Sequence, residues 1–359
     1  MRRADAPRVQ VSRELLVDIR NIANGVFSPL EGFLGQEDFD HILYYKRLAN
    51  GLAWTVPIVL DVTRDKAREL AEGQEVVIVA DAGRPVAIFH LREKYVYNKE
   101  EMAKKVYGTT DLSHPGVARI KAMGEVLLGG QIDLIEEASN PYERFTLEPA
   151  ETRVLFRERG WRTVTGFQTR NVPHRGHESL QKMVLGLCDG LLIHPIIGKK
   201  KAGDFKDEVI LKAYEALIQN YFPPERIVLS ALLTEMRYAG PREAIHHAII
   251  RKNFGCTHFV VGRDHAGVGD FYDKEAAIEI FDEFEDLEIS PIAVKGDFFH
   301  CNICGGLMSE RTCPHSPQHH IPFSGTTIRN MLAQGKEPPA EVMRPEVFQV
   351  LSREENPFV

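Results

Sequence analysis

Thr163-Val164-Thr165-Gly166-Phe167-Gln168-Thr169-Arg170-Asn171-Val172-Pro173-His174-Arg175-Gly176-His177 passes from a strand-like run into a helix-like run, Glu178 to Leu187. Two histidines three residues apart at a helix start share one face. The free N–H groups of a first helical turn receive anions. Arg170 and Arg175 add positive charge, and Gly176 lets a ligand approach the backbone. A polyphosphate is the expected guest.

Around this junction, residues 151–295 alternate strand and helix. Strands are predicted at 163–167, 190–197, 226–231, 257–262 and 288–293, with helices at 176–188, 207–221, 240–253 and 273–282. Runs such as Leu191-Leu192-Ile193 and Phe259-Val260-Val261 are apolar on both faces. That pattern suits an α/β unit with a parallel sheet covered on both sides. Ligands of such sheets sit at the carboxyl ends of the strands. Gln168–His177 lies at one such end, and Gly262-Arg263-Asp264-His265 at another.

Residues 1–150 lack this alternation. Thr55 to Leu60 and Glu75 to Ala80 read as strands. Asp81-Ala82-Gly83-Arg84 reads as a hairpin turn into Pro85 to Phe89. A compact β-barrel-like domain fits, with a boundary near Asn140-Pro141. Residues 296–359 form a third, small domain. It holds Ser324-Gly325-Thr326-Thr327-Ile328-Arg329, a helix start with Ser or Thr capping that also suits a phosphate. Pro338-Pro339 is expected to end that helix.

The chain has 359 residues with 43% apolar and 26% charged content, so it can bury a sizeable core. A net charge of -7 argues against a general nucleic-acid binder. No apolar run approaches the roughly 18 residues of a membrane span. The start, Met1-Arg2-Arg3-Ala4-Asp5, lacks the apolar core of a signal peptide, and a cytoplasmic protein is expected.

Cys301-x2-Cys304-x8-Cys313, followed by His315, His319 and His320, has structural-zinc character. His319 is favoured as fourth ligand because a few residues of slack help the chain return; His315 and His320 are the alternatives. Cys188 and Cys256 read as core. His246 and His247 lie inside a helix without a cysteine or carboxylate partner at ligand spacing and read as structural. Arg237 and Arg242 stand in a loop where they could attract an anionic substrate. Gly198-Lys199-Lys200-Lys201 is not a Walker A sequence, which argues against a P-loop kinase.

Together these motifs resemble the ATP sulfurylase (sulfate adenylyltransferase) family, monofunctional form. The resemblance covers nearly the whole chain. It includes Asn24-Gly25-Val26-Phe27-Ser28-Pro29-Leu30-Glu31-Gly32-Phe33-Leu34, Gln168–His177, Gly262–His265 and Ser324–Arg329. The family usually has Pro directly after the Asn of Gln-Thr-Arg-Asn; here Val172 intervenes. Gly176 stands where Ala is common. The resemblance implies a PUA-like β-barrel domain at 1–150, a Rossmann-like nucleotidyltransferase domain at 151–295 and a small carboxy-terminal domain at 296–359. It implies adenylyl transfer from ATP, with Mg²⁺, to sulfate, giving adenosine 5′-phosphosulfate and pyrophosphate. By motif position Gln168, Arg170 and the backbone of Ala266 would hold sulfate. Thr169, Arg170 and Asn171 would line the reacting centre, and His174 and His177 would bind the ATP phosphates. Gly262, Arg263, Asp264 and His265 would hold the nucleotide. A homodimer is the family-based expectation. Two alternatives stay open: a nucleotidyltransferase with another acceptor, and a non-catalytic RNA-binding or zinc-dependent interaction protein.

Overall fold

The computed structural model describes residues 6–136, 140–201, 203–296, 298–323 and 325–359. The amino-terminal part contains β1 (Arg8–Gln10), α1 (Arg13–Ala23), β2 (Gly32–Phe33), α2 (Gln36–Tyr45), β3 (Leu60–Val62), α3 (Arg64–Glu69), β4 (Glu75–Val79), β5 (Pro85–Val96), α4 (Lys99–Tyr107), α5 (Pro115–Ala122) and β6 (Val126–Leu134). Its strands form one sheet, β1-β4-β5-β6-β2, with β3 also on β6. The hairpin expected at 81–84 is present: Ala82 and Gly83 take φ of 60° and 74° and reverse the chain between β4 and β5. The strand expected from Thr55 is reduced to its last residue, Leu60. Pro57 has no N–H to give to a ladder, and the Thr55 hydroxyl donates instead to the Arg242 carbonyl.

The central part contains α6 (Pro149–Glu158), β7 (Val164–Thr169), α7 (Arg175–Leu185), β8 (Gly190–Ile197), α8 (Asp207–Tyr221), β9 (Ile227–Leu229), β10 (Leu232–Leu233), α9 (Pro241–Asn253), β11 (His258–Gly262), α10 (Ala276–Glu279) and β12 (Ser290–Val294). The sheet runs β10-β8-β7-β11-β12 with β9 also on β8, and every pairing is parallel. All of β8 is buried. Leu192 and Ile196 pack with Ala244, Ile245 and Ala248 of α9. Leu191 and Ile193 pack on the other face with Val209, Ile210 and Ala213 of α8. The period-two alternation of a strand thus feeds two separate cores. α10 is shorter than expected: Glu279, Asp282 and Glu283 place negative charge at the carboxyl end, where the helix dipole disfavours it, and the chain tightens into a 3₁₀ turn.

From β7 the chain goes to β8 on one side, and from β11 to β12 on the other. The connections after two neighbouring strands diverge, which opens a crevice at their carboxyl ends. The Gln168–His177 and Gly262–Ala266 loops both leave there.

The last part contains β13 (Phe298–Cys301), β14 (Gly306–Ser309), β15 (His320–Pro322), α11 (Gly325–Ala333) and α12 (Pro345–Ser352). The antiparallel sheet β14-β13-β15 has no clear periodic signal in the sequence. α11 stops at Ala333, ahead of Pro338-Pro339, where Gly335 turns at φ 67° and donates to the Leu332 carbonyl. Ser324, the expected cap, lies outside the described residues. α12 packs its buried Val347 and Leu351 into the core that contains α8. No helix among the described residues is long and apolar enough to cross a membrane.

Candidate active site

α7 begins because His174 takes an extended φ/ψ and caps it: its Nδ1 accepts the His177 N–H at 3.2 Å. A neutral ring that accepts at Nδ1 carries its proton at Nε2, so His174 can donate outward. The His174 and His177 rings stack, with centroids 3.7 Å apart and planes 14° apart. Burial, then the neighbouring His177, pushes His174 well below the usual histidine range. Burial alone takes His177 down to about 4. His177 Nδ1 is buried and has no partner among the described residues. Such an atom is costly unless a ligand satisfies it.

Thr169 closes β7 with a local turn, its Oγ1 accepting the Asn171 N–H at 3.2 Å. Arg170 then turns toward Asp204, with Nη2 3.4 Å from Oδ2, and its guanidinium lies over the Tyr238 ring. Arg329 of α11 reaches the same carboxylate at 3.9 Å and donates to Asn171 Oδ1 at 3.5 Å. Asp204 therefore gathers two arginines from distant parts of the chain beside the Asn171 amide.

Gln168 meets the other loop, its Nε2 3.4 Å from His265 Nε2, while its Oε1 is buried without a partner among the described residues. Burial, then His247 and Arg251, lowers His265 to about 3. Asp264 and Ala266 take φ of 53° and 57°. The Asp264 carbonyl accepts the Gly267 N–H. The Ala266 carbonyl accepts the Gly240 N–H. Gly240 is itself constrained to glycine, since φ is +50° and a Cβ would lie 2.7 Å from the Tyr272 ring. Gly262 ends β11 with open space where a Cβ would be. Arg263 Nε lies 3.3 Å from Glu275.

The structure thus brings Gln168, Thr169, Arg170, Asn171, His174 and His177 to the same crevice end as Gly262 to Ala266. Arg237 and Arg242 are corrected. Both are buried: Arg237 pairs with Asp18 at 2.6 Å, and Arg242 donates to the carbonyls of Ile42, Leu43 and Thr55. They join the amino-terminal part to the sheet. His247 is corrected as well. Its Nε2 lies 3.4 Å from Glu243 Oε1, four residues earlier on α9, a helical spacing that was available in the sequence. Asp204 and Phe323 were not assigned from the sequence as site residues; Arg329 stood in the helix start read as suiting a phosphate, without a partner at Asp204 or Asn171 being foreseen.

Cys301, Cys304, Cys313 and His315 place their ligand atoms within 4.8 Å of one another. His315 Nδ1 lies 3.5, 3.3 and 3.8 Å from the three sulfurs in chain order. The expectation of His319 is overturned: its ring contacts Gln318, and its carbonyl accepts the Asn302 N–H. His315 sits two residues after Cys313, and the turn there already points back at the sulfurs, so no slack is needed. Burial opposes ionisation of Cys301, but the N–H groups of Cys304 and Ile303 and the neighbouring thiols draw it down to about 6. Beyond the cluster, Phe323 follows β15 and lies parallel to the His174 ring, centroids 5.4 Å apart. A Cβ on Gly176 would come within 2.9 Å of that phenyl ring.

The ATP-sulfurylase family model matches residues 143–354, and a PUA-like domain model matches residues 1–137. The sulfate adenylyltransferase of Pyrococcus abyssi (strain GE5 / Orsay) is 52% identical over 353 residues, 98% of this chain and 92% of that protein. That of Hyperthermus butylicus is 51% identical, covering 99% and 91%. That of Symbiobacterium thermophilum is 47% identical, covering 96% and 88%. Among solved structures, the hexameric APS kinase from Thiobacillus denitrificans superimposes with a TM-score of 0.77 at 21% identity, over 99% of this chain and 64% of that one, a likeness of fold. The chain, with an amino-terminal PUA-like domain and a parallel-sheet α/β part, belongs to the ATP-sulfurylase family.

Proposed function

We propose that the chain transfers the adenylyl group of ATP to sulfate, releasing pyrophosphate and forming adenosine 5′-phosphosulfate, or runs the same reaction backwards to make ATP. The observation that carries this reading is the convergence of Arg170, Arg329, His174 and His177 at the carboxyl end of β7, beside Gln168. Sulfate is a weak nucleophile and must approach an anionic α-phosphate. The barrier falls when charge is neutralised and the reacting groups are aligned in line. Gln168, Arg170 and the Ala266 backbone hold sulfate in this reading. Thr169, Arg170 and Asn171 line the reacting centre. His174 and His177 donate to the phosphates and stabilise charge that develops at the α-phosphate and leaving group, and Gly262 to His265 hold the nucleoside. No side chain is asked to form a covalent intermediate, so one sulfate oxygen displaces pyrophosphate directly, with inversion at phosphorus. Mg²⁺ enters with ATP as part of the substrate; Asp204 is already engaged by two arginines.

The test is sulfate-dependent pyrophosphate release. Arg170→Ala is expected to cost about 3–4 kcal/mol of transition-state stabilisation, roughly a hundred- to thousandfold in kcat. Near-normal turnover in that variant would remove Arg170 from the assigned role. Release that does not depend on sulfate would move the reading to another acceptor.

Cys301, Cys304, Cys313 and His315 are assigned to a structural zinc ion. Three thiolates and an imidazole are its preferred donors, and Zn–S bonds of about 2.3 Å imply sulfur–sulfur edges of roughly 3.8 Å; Cys304 and Cys313 are 3.9 Å apart. A cytoplasmic homodimer used for sulfate assimilation or dissimilatory sulfur metabolism completes the reading, and sedimentation tests the assembly.

A further inference from the structure

A buried chain of polar side chains runs from α9 to the candidate sulfate site. Glu243 is fully buried. Its Oε1 accepts the Arg237 N–H at 2.8 Å and its Oε2 the Ala239 N–H at 2.9 Å. His247 Nε2 lies 3.4 Å from Glu243 Oε1. His247 Nδ1 lies 3.0 Å from His265 Nε2, and His265 Nε2 lies 3.4 Å from the Gln168 amide.

Proton positions along this chain follow from what each group can do. A carboxylate that accepts two backbone N–H groups is an acceptor only. The proton between it and His247 therefore sits on His247 Nε2. Burial, then the neighbouring Arg251, Arg237 and Arg170, keeps His247 neutral, so its Nδ1 is a bare acceptor. It must receive the proton of His265 Nε2. That N–H also faces the Gln168 amide, so the amide end opposite it has to be the carbonyl oxygen. A half-turn of the amide, which costs nothing sterically because oxygen and NH₂ are nearly alike in size, satisfies this. The NH₂ group then takes the buried position where Oε1 meets no donor among the described residues, and a double donor there suits an oxyanion.

We propose that Glu243 and His247 are positioning residues that fix the Gln168 amide as a hydrogen-bond donor to the oxyanion substrate and thereby set sulfate affinity. The inference rests on the reading of Gln168 as a sulfate ligand. Neither residue touches substrate. Each passes an orientation, and no proton is transferred in turnover.

Steady-state kinetics with ATP and sulfate varied separately test this. His247→Leu is expected to raise KM for sulfate about tenfold, with KM for ATP changed less than about twofold. His247→Asn, whose side-chain oxygen takes the place of Nδ1 as acceptor, is expected to restore most of the loss. Adding His247→Leu to Gln168→Ala should change little, because the two act through one contact. Gln168→Ala alone separates the two readings. If it leaves KM for sulfate unchanged, the assignment of Gln168 fails. If it raises that KM while His247→Leu does not, the relay fails. Nitrogen NMR of the unmodified enzyme gives a second measurement that needs no variant: both His247 and His265 should carry their proton at Nε2. A proton at Nδ1 of His247 would overturn the proposal.

Discussion

Asp204 shows how single side chains are set against one another in this site. It draws Arg170 and Arg329 toward one carboxylate, so two cations that repel each other are held side by side, as the proposed binding of an anionic substrate requires. The histidines are prepared in the opposite sense. Burial keeps both neutral, so each ring retains a donor without bringing two buried charges side by side. This has a consequence for stability. His177 titrates near 4 in the folded chain, against about 6.5 when unfolded. Its contribution to stability is complete above pH 6.5 and falls as the pH drops toward 4, because the unfolded chain takes up the proton first. His265, lowered to about 3, acts in the same direction over a slightly wider range. Thermal melts from pH 7 to 4.5 are expected to show a falling Tm, and His177→Gln should make that fall shallower. A Tm independent of pH over this range would contradict the buried, neutral state of the pair.

At the scale of elements, the cysteine cluster and the start of α7 are joined. β15 pairs with β13, Cys301 lying opposite His320 in register. The next residue after β15, Phe323, covers the His174 ring. Arg344, just before α12, clamps the buried Glu178 of α7 with two bonds of 2.8 and 2.9 Å, and the Val342 carbonyl accepts the Arg175 N–H. Helix α7 is therefore aimed by the small carboxy-terminal part as much as by its own cap. If the cluster holds the proposed metal, stripping it with a chelator is expected to lower Tm by roughly 5 °C and to weaken ATP binding, since the small three-stranded sheet loses its internal tie. Metal analysis before and after treatment, together with melting curves, checks this. Full metal loss with unchanged Tm and unchanged nucleotide affinity would show that the cluster does not support α7.

Across the whole molecule, the amino-terminal part and the sheet share buried polar joints. Arg237 pairs with Asp18, side chains 6% and 2% exposed. Arg242 fills three carbonyls of the amino-terminal part. Asn253 donates to the carbonyls of Val26 and Ser28, within the Asn24–Leu34 stretch that contributes to the family resemblance. The same Arg237–Ala239 loop supplies the N–H groups that hold Glu243, so this joint also supports the floor of the site. Asp18→Ala leaves the Arg237 charge buried and unpaired, and is expected to destabilise the protein by roughly 3–5 kcal/mol. Denaturant unfolding measures it, and a change below about 1 kcal/mol would mean that water reaches the guanidinium.

The sequence by itself determined the parallel sheet, the strand-to-helix junction at Gln168–His177 and the second loop at Gly262–His265. Those features are local: two-faced apolar runs, helical spacing and glycine at turns depend on neighbours a few residues away. It also determined the cysteine triad, because three thiols at short spacing are a local feature of the chain. The tertiary structure decided the rest, where partners come from far along the chain. Arg329 meets Arg170 across 159 residues only because α11 folds over the crevice. Arg237 and Arg242 turn inward because Asp18 and the carbonyls of Ile42, Leu43 and Thr55 wait there, which no pattern near residue 240 reveals. His315 became the imidazole of the candidate metal site because the direction of a turn, and not the length of chain available, decides which ring reaches three sulfurs.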